Sequence, residues 1–285
     1  MTNQGKVMGK YRVLYNPSAG RGAGEREAKK LAGVFEEIAY TDITKIENYS
    51  AFFNGLDEQE QVIVCGGDGT LNRFVNDAGD MALGKQLYYY ACGSGNDFMR
   101  EVQKDEKPLL LQGYIENLPV VEVKGKTYRF INGVGYGIDG YCCEEGDRQR
   151  EKSDKPINYT GIAIKGLLFH YKPTNATVVV DGKEYHFKKV WLAPTMNGKY
   201  YGGGMIPCPK QDRAGDTISV LIFHGTGKLK TLMMFPSLFK GEHIKYEKHI
   251  TVLSGKEITV KFDAPRALQI DGETIIGVTE YTARK

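Results

Sequence analysis

The sequence lacks the parts that several common chemistries need. It contains no HExxH, no GxSxG and no CxxC, so metalloprotease, serine-hydrolase and structural-zinc readings have no residues to stand on. Its five cysteines, an odd number at irregular spacing, argue against a disulfide framework and read as free thiols. Neither sign of charge is in large excess. A net charge of +3 over 285 residues, with a pI of about 8.4, is too mild to gather nucleic acid by bulk charge, and no nucleic-acid partner is expected. Long hydrophobic runs are missing as well. The opening MTNQGKVMGKYRVLYN has no apolar signal-peptide core, and TLMMFPSLF is too short to span a bilayer and contains Pro236. These absences lead to the expectation of a cytoplasmic protein.

What is present is ordinary globular material: 41% hydrophobic and 26% charged residues, without repeats or low-complexity tracts, in a length that suits two medium domains. The first part alternates apolar runs with helical spacing. YRVLY (11–15) is followed by a glycine-rich stretch and then Ala28, Leu31, Phe35 and Ile38, whose intervals of three and four predict one face of a helix. VIVC (62–65) leads into GGDGT and then Leu71, Phe74, Val75 and Ala78. LYYYA (87–91) leads into CGSGND and FMREV. Strand, loop and helix repeated in this way imply a mainly parallel sheet, a Rossmann-like α/β domain over residues 1–122.

From residue 123 to 285 the texture changes to short alternating strands with turn signals: VVVDGKEYHF, KVWLA, TISVLIF, EITVKF and ALQIDGETI. This half reads as antiparallel β, interrupted by helical inserts at 157–171 and 228–240, the second ended or kinked by Pro236. HGTGKLK (224–230) lacks the upstream glycine and the hydroxyl residue of a Walker loop, and reads as a helix-entry turn.

Loops leaving the carboxyl ends of parallel strands line one crevice, and each glycine loop here precedes a helix whose free N–H groups suit phosphate. NPSAGRGAG (16–24), GGDGT (66–70) and GSGND (93–97) therefore form three candidate backbone nests, with glycine expected where a Cβ would block phosphate oxygens. Asp68 inside GGDGT adds negative charge to an anion site, which makes sense if Mg²⁺ lies between them. Asp97, opening a helix, is expected to share metal work with an N-terminal capping role.

These motifs in this order, together with INGVGYGID (131–139), GGGMIPCPKQDRAGDTISV (202–220) and IDGE (270–273), resemble the diacylglycerol kinase catalytic family, soluble bacterial lipid-kinase type, which is related to sphingosine kinases. The resemblance implies a β-sandwich-like C-terminal domain and an active site in the interdomain cleft. It implies an ATP-dependent lipid kinase, with diacylglycerol as the leading acceptor and phosphatidic acid as product. Asn16, Ser18, Gly20, Thr41, Gly66, Gly67, Gly69, Thr70, Gly93, Ser94, Asn96 and Asp97 are then expected to bind the nucleotide. Asp68, Asp271 and Glu273 would be the essential acids. Asp68 would also hold Mg²⁺, and a structural Mg²⁺ is placed near Asp212 or Asp216.

The chain departs from the family pattern at Arg73, where TLNE carries an acid, and at Ala91, where a proline is usual. A lipid acceptor implies peripheral membrane association, for which GLLFHYK (166–172) and KTLMMFPSLFKGEHIKYEK (230–248) carry the apolar and basic residues. A homodimer is left open. Two other functions remain open: a kinase for another lipid or a soluble metabolite, since GGDGT also resembles the NAD kinase loop, and a non-catalytic nucleotide- or lipid-binding protein. IDGE is also a good type I′ hairpin signal, and VVVDGKEYHF carries the same Asp-Gly step at Asp181, to which no function is assigned.

Overall fold

A computed structural model describes residues 6–93, 95–102, 108–152 and 157–285. The chain divides into two compact units, residues 1–117 and 118–285. In the first, the order is β1 (Val7–Tyr15), α1 (Ala19–Gly22), α2 (Gly24–Lys29), β2 (Phe35–Asp42), α3 (Tyr49–Asn54), β3 (Glu60–Gly66), α4 (Asp68–Ala78), β4 (Leu87–Ala91), α5 (Asp97–Val102), β5 (Leu109–Leu110) and α6 (Gln112–Ile115). The strands form a sheet in the order β2-β1-β3-β4-β5, parallel except for the antiparallel edge strand β5. The unbroken VIVC run belongs to the central strand β3, and Val62 to Cys65 are fully buried, as a strand covered on both faces requires. Helix α4 buries Leu71, Phe74, Val75 and Ala78, the spacing that predicted it.

One expected helix is wrong in its second half. Ala28 lies in α2, but that helix ends at Lys29 and a short 3₁₀ turn follows over Lys30–Gly33, after which Phe35 and Ile38 belong to β2. All four side chains pack into one apolar cluster with Tyr11 and Val13. The intervals of three and four thus reported a shared core, reached from two different elements.

The second unit runs β6 (Val120–Val123), β7 (Lys126–Arg129), β8 (Gly133–Tyr136), α7 (Ile138–Arg150), α8 (Tyr159–Lys165), β9 (Thr174–Val180), β10 (Lys183–Val190), β11 (Thr195–Met196), β12 (Ile218–Phe223), α9 (Lys228–Met234), β13 (Ile250–Gly255), β14 (Glu257–Ile270) and β15 (Glu273–Arg284). Its strands pair antiparallel in the order β13-β12-β11-β8-β14-β15-β6-β7, with the β9–β10 hairpin joined through β14. Tyr136 stacks on Phe262 at 4.0 Å between centroids inside the main β core. A second cluster, around Trp191, Leu167, Met234 and Leu238, lies beneath the helical inserts. As expected, HGTGKLK is an entry turn with Gly227 capping α9, and the α-helix stops ahead of Pro236 in a 3₁₀ turn closed by left-handed Gly241.

Candidate active site

Because β1, β3 and β4 are parallel neighbours, their carboxyl ends bring NPSAGRG, GGDGT and GSGND to one edge of the sheet. The loops touch one another. Asn16 Nδ2 donates to Thr70 Oγ1 at 2.9 Å, Asn16 Oδ1 accepts from the Ser18 amide at 3.0 Å, and the Asn16 amide donates to the Cys65 carbonyl at 3.2 Å. Asn96 Nδ2 donates to the Gly93 carbonyl at 2.9 Å. A Cβ on Gly93 would lie 2.5 Å from Gly67 Cα and 2.7 Å from Gly67 N. One on Gly66 would strike the Thr70 side chain, and one on Gly20, whose φ is +58°, would lie 2.6 Å from the Cys92 carbonyl. Glycine was expected here to admit phosphate oxygens; its first requirement is the close approach of loop to loop. Gly69 and Thr70 lie in the first turn of α4, where amides have no intrahelical carbonyl behind them.

Asp68 leads α4, and its carboxylate reaches across to α5. Oδ2 accepts from the Asp97 amide at 2.7 Å and Oδ1 from the Phe98 amide at 3.3 Å. The acid that receives the leading amides of α5 is therefore Asp68. Asp97 is buried at the first position of α5 with its amide on Asp68. Thr41 stands at the end of β2, where its hydroxyl accepts from Arg12, itself paired with Glu60. Ser94 lies outside the described residues.

In the second unit both Asp-Gly steps form hairpin turns with positive φ at both residues: 47° and 81° at Asp181–Gly182, 46° and 101° at Asp271–Gly272. They are alike in more than conformation. Asp181 Oδ1 accepts from the amides of Lys256 and Glu257, each at 2.9 Å. Asp271 accepts from three successive amides, Ile131, Asn132 and Gly133, at 2.5, 2.8 and 2.9 Å. The IDGE acid thus clasps the start of INGVGYGID, while Glu273 stands exposed at the start of β15.

Around that clasp lies a polar network whose roles no motif announces. Arg213 donates to the Ile131 carbonyl and to Asn132 Oδ1, Asn197 Nδ2 donates to the Ile131 carbonyl, and Lys285 Nζ donates to Asn197 Oδ1. Burial lowers the Lys285 pKa, and the Arg213 charge beside it acts the same way. Asp212 Oδ1 accepts from the Ala214 amide, and Asp216 is largely exposed with Lys256 Nζ 3.6 Å away. Among the described residues no group of three or more His, Cys, Asp or Glu side chains gathers to hold a metal.

Asp139, the last residue of INGVGYGID, is the other acid that escaped notice. It is 8% exposed, and neither carboxylate oxygen has a full hydrogen-bond partner. Burial raises its pKa to about 7, offset only in part by the Tyr201 hydroxyl and the Gln269 amide. Gln269 in turn accepts from the Gly272 amide at 2.7 Å, beside the IDGE turn.

Comparison with known proteins follows the same division. Residues 10–121 match the diacylglycerol kinase catalytic domain, and residues 132–282 match the YegS C-terminal NAD kinase beta sandwich-like domain. A diacylglycerol kinase of Mycobacterium tuberculosis (strain ATCC 25618 / H37Rv) is 25% identical over 281 residues, covering 90% of this chain and 86% of the relative. A diacylglycerol kinase of Bacillus subtilis (strain 168) is 23% identical over 280 residues, covering 93% and 90%. A crystal structure described as a diacylglycerol kinase from Bacillus anthracis str. Sterne superposes with a TM-score of 0.66 at 19% identity, over 97% of this chain and 94% of that one.

Proposed function

The chain belongs to the family built from a diacylglycerol kinase catalytic domain followed by a YegS-type C-terminal domain, and from that premise we propose that it is an ATP-dependent lipid kinase. The leading acceptor is the free hydroxyl of diacylglycerol, which would become phosphatidic acid. The observation that carries this reading is the mutual contact of three glycine loops at the carboxyl ends of β1, β3 and β4, with the amide-rich start of α4 among them. Oriented amides in that arrangement suit the oxygens of a polyphosphate.

Phosphoryl transfer asks a protein mainly to position and to neutralise charge. On this reading the amides of Gly66, Gly67, Gly69 and Thr70, with Asn16, Ser18, Gly20, Gly93, Ser94, Asn96 and Asp97, hold the nucleotide, and Thr41 lines the same pocket. Mg²⁺ commonly takes one or two carboxylates together with substrate oxygens and water, a donor set that Asp68 and Asp97 fit; when bound it would offset phosphate charge. A structural ion remains assigned to the neighbourhood of Asp212 or Asp216. On this reading IDGE supplies the acceptor side. Asp271 is engaged with three amides, so its role is to hold the turn in shape, and exposed Glu273 is the better candidate to orient the acceptor hydroxyl and take its proton.

The acceptor lies in a membrane, and docking would fall to the helical inserts of the second unit. Phe169, Leu229 and Met233 are 72%, 72% and 81% exposed, and Lys228 Nζ donates to the Leu168 carbonyl at 2.7 Å, tying α9 to the turn after α8. Among the described residues no helix is long and apolar enough to cross a membrane. The test is incubation with γ-labelled ATP and a total lipid extract, with NAD in a parallel arm. Label in phosphatidic acid supports the proposal, label in NADP assigns a soluble acceptor, and ATP binding without transfer to either would remove catalysis.

A further inference from the structure

Cys65 ends the core of β3 immediately before Gly66, and Cys92 follows β4 immediately before Gly93. Their Sγ atoms are 3.1 Å apart. Cys65 is fully buried and Cys92 is partly exposed. We propose that Cys65 and Cys92 are a dithiol that hydrogen peroxide converts to a disulfide, locking the three glycine loops.

The two sulfurs differ in the way such a pair needs. The hydrogen bond from the Cys65 thiol lowers the Cys92 pKa, whereas the same bond and burial raise that of Cys65. Cys92, the more exposed and more acidic thiol, is the site of attack. Its thiolate displaces hydroxide from the peroxide O–O bond, giving a sulfenic acid, and the hydroxide leaves as water with a proton. Cys65 sulfur then attacks Cys92 sulfur, the S–O bond breaks, and the second hydroxide leaves as water with the Cys65 proton. Two thiols lose two electrons, and one peroxide becomes two waters. Cys142, Cys143 and Cys208 are internal controls, because burial raises the pKa of each and none of them has another cysteine sulfur in hydrogen-bond contact.

The loops cannot ignore this step. A disulfide between sulfurs now 3.1 Å apart would tie the end of β3 covalently to the end of β4. Those ends carry Gly66, Gly67 and Gly93, which are already too close to admit a Cβ. Asn16 is hydrogen-bonded to the Cys65 carbonyl, and Gly20 rests on that of Cys92, so all three loops share the constraint. Where such a tie shifts binding groups by as much as about 1 Å, the cost reaches about 100-fold in turnover. The effect on nucleotide rests on the reading of this site given above; the disulfide itself does not.

The experiment treats the full-length reduced protein with hydrogen peroxide, maps a non-reduced digest by mass spectrometry, and follows Mg·ATP binding by calorimetry before and after dithiothreitol. The expected result is a Cys65–Cys92 cross-linked peptide, loss of two titratable thiols, and ATP binding that falls at least tenfold and returns on reduction. Cys92→Ala should bind ATP normally and be indifferent to peroxide. Sulfinic acid at Cys92 without the cross-link would overturn the dithiol, and a cross-link with unchanged ATP binding would overturn the lock. If the reduced protein bound no ATP, the nucleotide reading would fail while the peptide map still decided the dithiol.

Discussion

Replacing Asp139 by Asn should make the protein more stable at neutral pH, and the size of the gain should depend on pH. The substitution keeps the shape of the side chain and removes a buried charge. An ordinary Asp carboxyl ionises near 3.8, and burial raises Asp139 to about 7. At about 1.4 kcal/mol per pH unit, that difference penalises the ionised folded form by about 4 kcal/mol, an upper figure for a single group. Between pH 4 and 7 the folded state keeps a proton that the unfolded state has released. The stability present below the unfolded value is therefore lost as pH rises toward 7, and the loss levels off above it. The assay is urea unfolding at pH 5, 6, 7 and 8, followed by the fluorescence of Trp191, which is the sole tryptophan, is 1% exposed, and lies in the same unit as Asp139. The stability of Asp139→Asn minus that of the parent should rise from pH 5 to 7 and flatten toward pH 8. A constant offset, whatever its size, counts only packing and new hydrogen bonds. If the difference were flat between pH 5 and 8, Asp139 would not hold its proton in the folded state.

Three further outcomes are expected. Gly93→Ala places a methyl 2.5 Å from Gly67 Cα, so calorimetry should show weakened Mg·ATP binding and urea melts a loss of about 1–3 kcal/mol, whereas Gly33→Ala, with nothing within 4 Å, should be neutral or mildly stabilising; equal behaviour would show that the loops are not tightly packed. Glu273→Gln should cut kcat roughly 100-fold with an unchanged melt, while Asp271→Asn, which keeps one acceptor oxygen where two are used, should cost about 1–3 kcal/mol of stability and lose turnover as well, and Asp181→Asn, whose remaining oxygen can still accept from both amides, should cost less and spare turnover; normal kcat in Glu273→Gln would move proton transfer elsewhere. Vesicle sedimentation should weaken when Leu229 and Met233 are both changed to Ser, and should respond to phosphatidylglycerol, salt and neutralisation of Lys240, Lys245 and Lys248, with each lysine near the surface contributing about 1 kcal/mol; binding unaffected by all of these would leave that face as ordinary solvated surface.

What the sequence made legible is what neighbouring residues decide together. The run VIVC, the α4 spacing, the stop at Pro236 and both Asp-Gly turns depend on local burial period or local φ, and each has the form its residues imply. Phe35 and Ile38 were misread for a related reason: a shared core produces helical intervals even when a short 3₁₀ turn and a glycine carry the chain from helix to strand. What stayed hidden is pairing across sequence distance. Asp68 receives amides 29 and 30 residues away, and Asp271 receives amides 138 to 140 residues away. In both cases the residue type suggested chemistry, while the partners reveal an anchoring task that any catalytic role must accommodate. Asp139 had one readable sign. Gly135, Gly137 and Gly140 flank it in the sequence, and a Cβ on any of them would lie within 2.5 Å of another group, in the first case Asp139 itself. An acid set among glycines that have no room for a side chain is an acid packed where water cannot follow, and that pattern, more than the acid alone, marks a buried carboxyl.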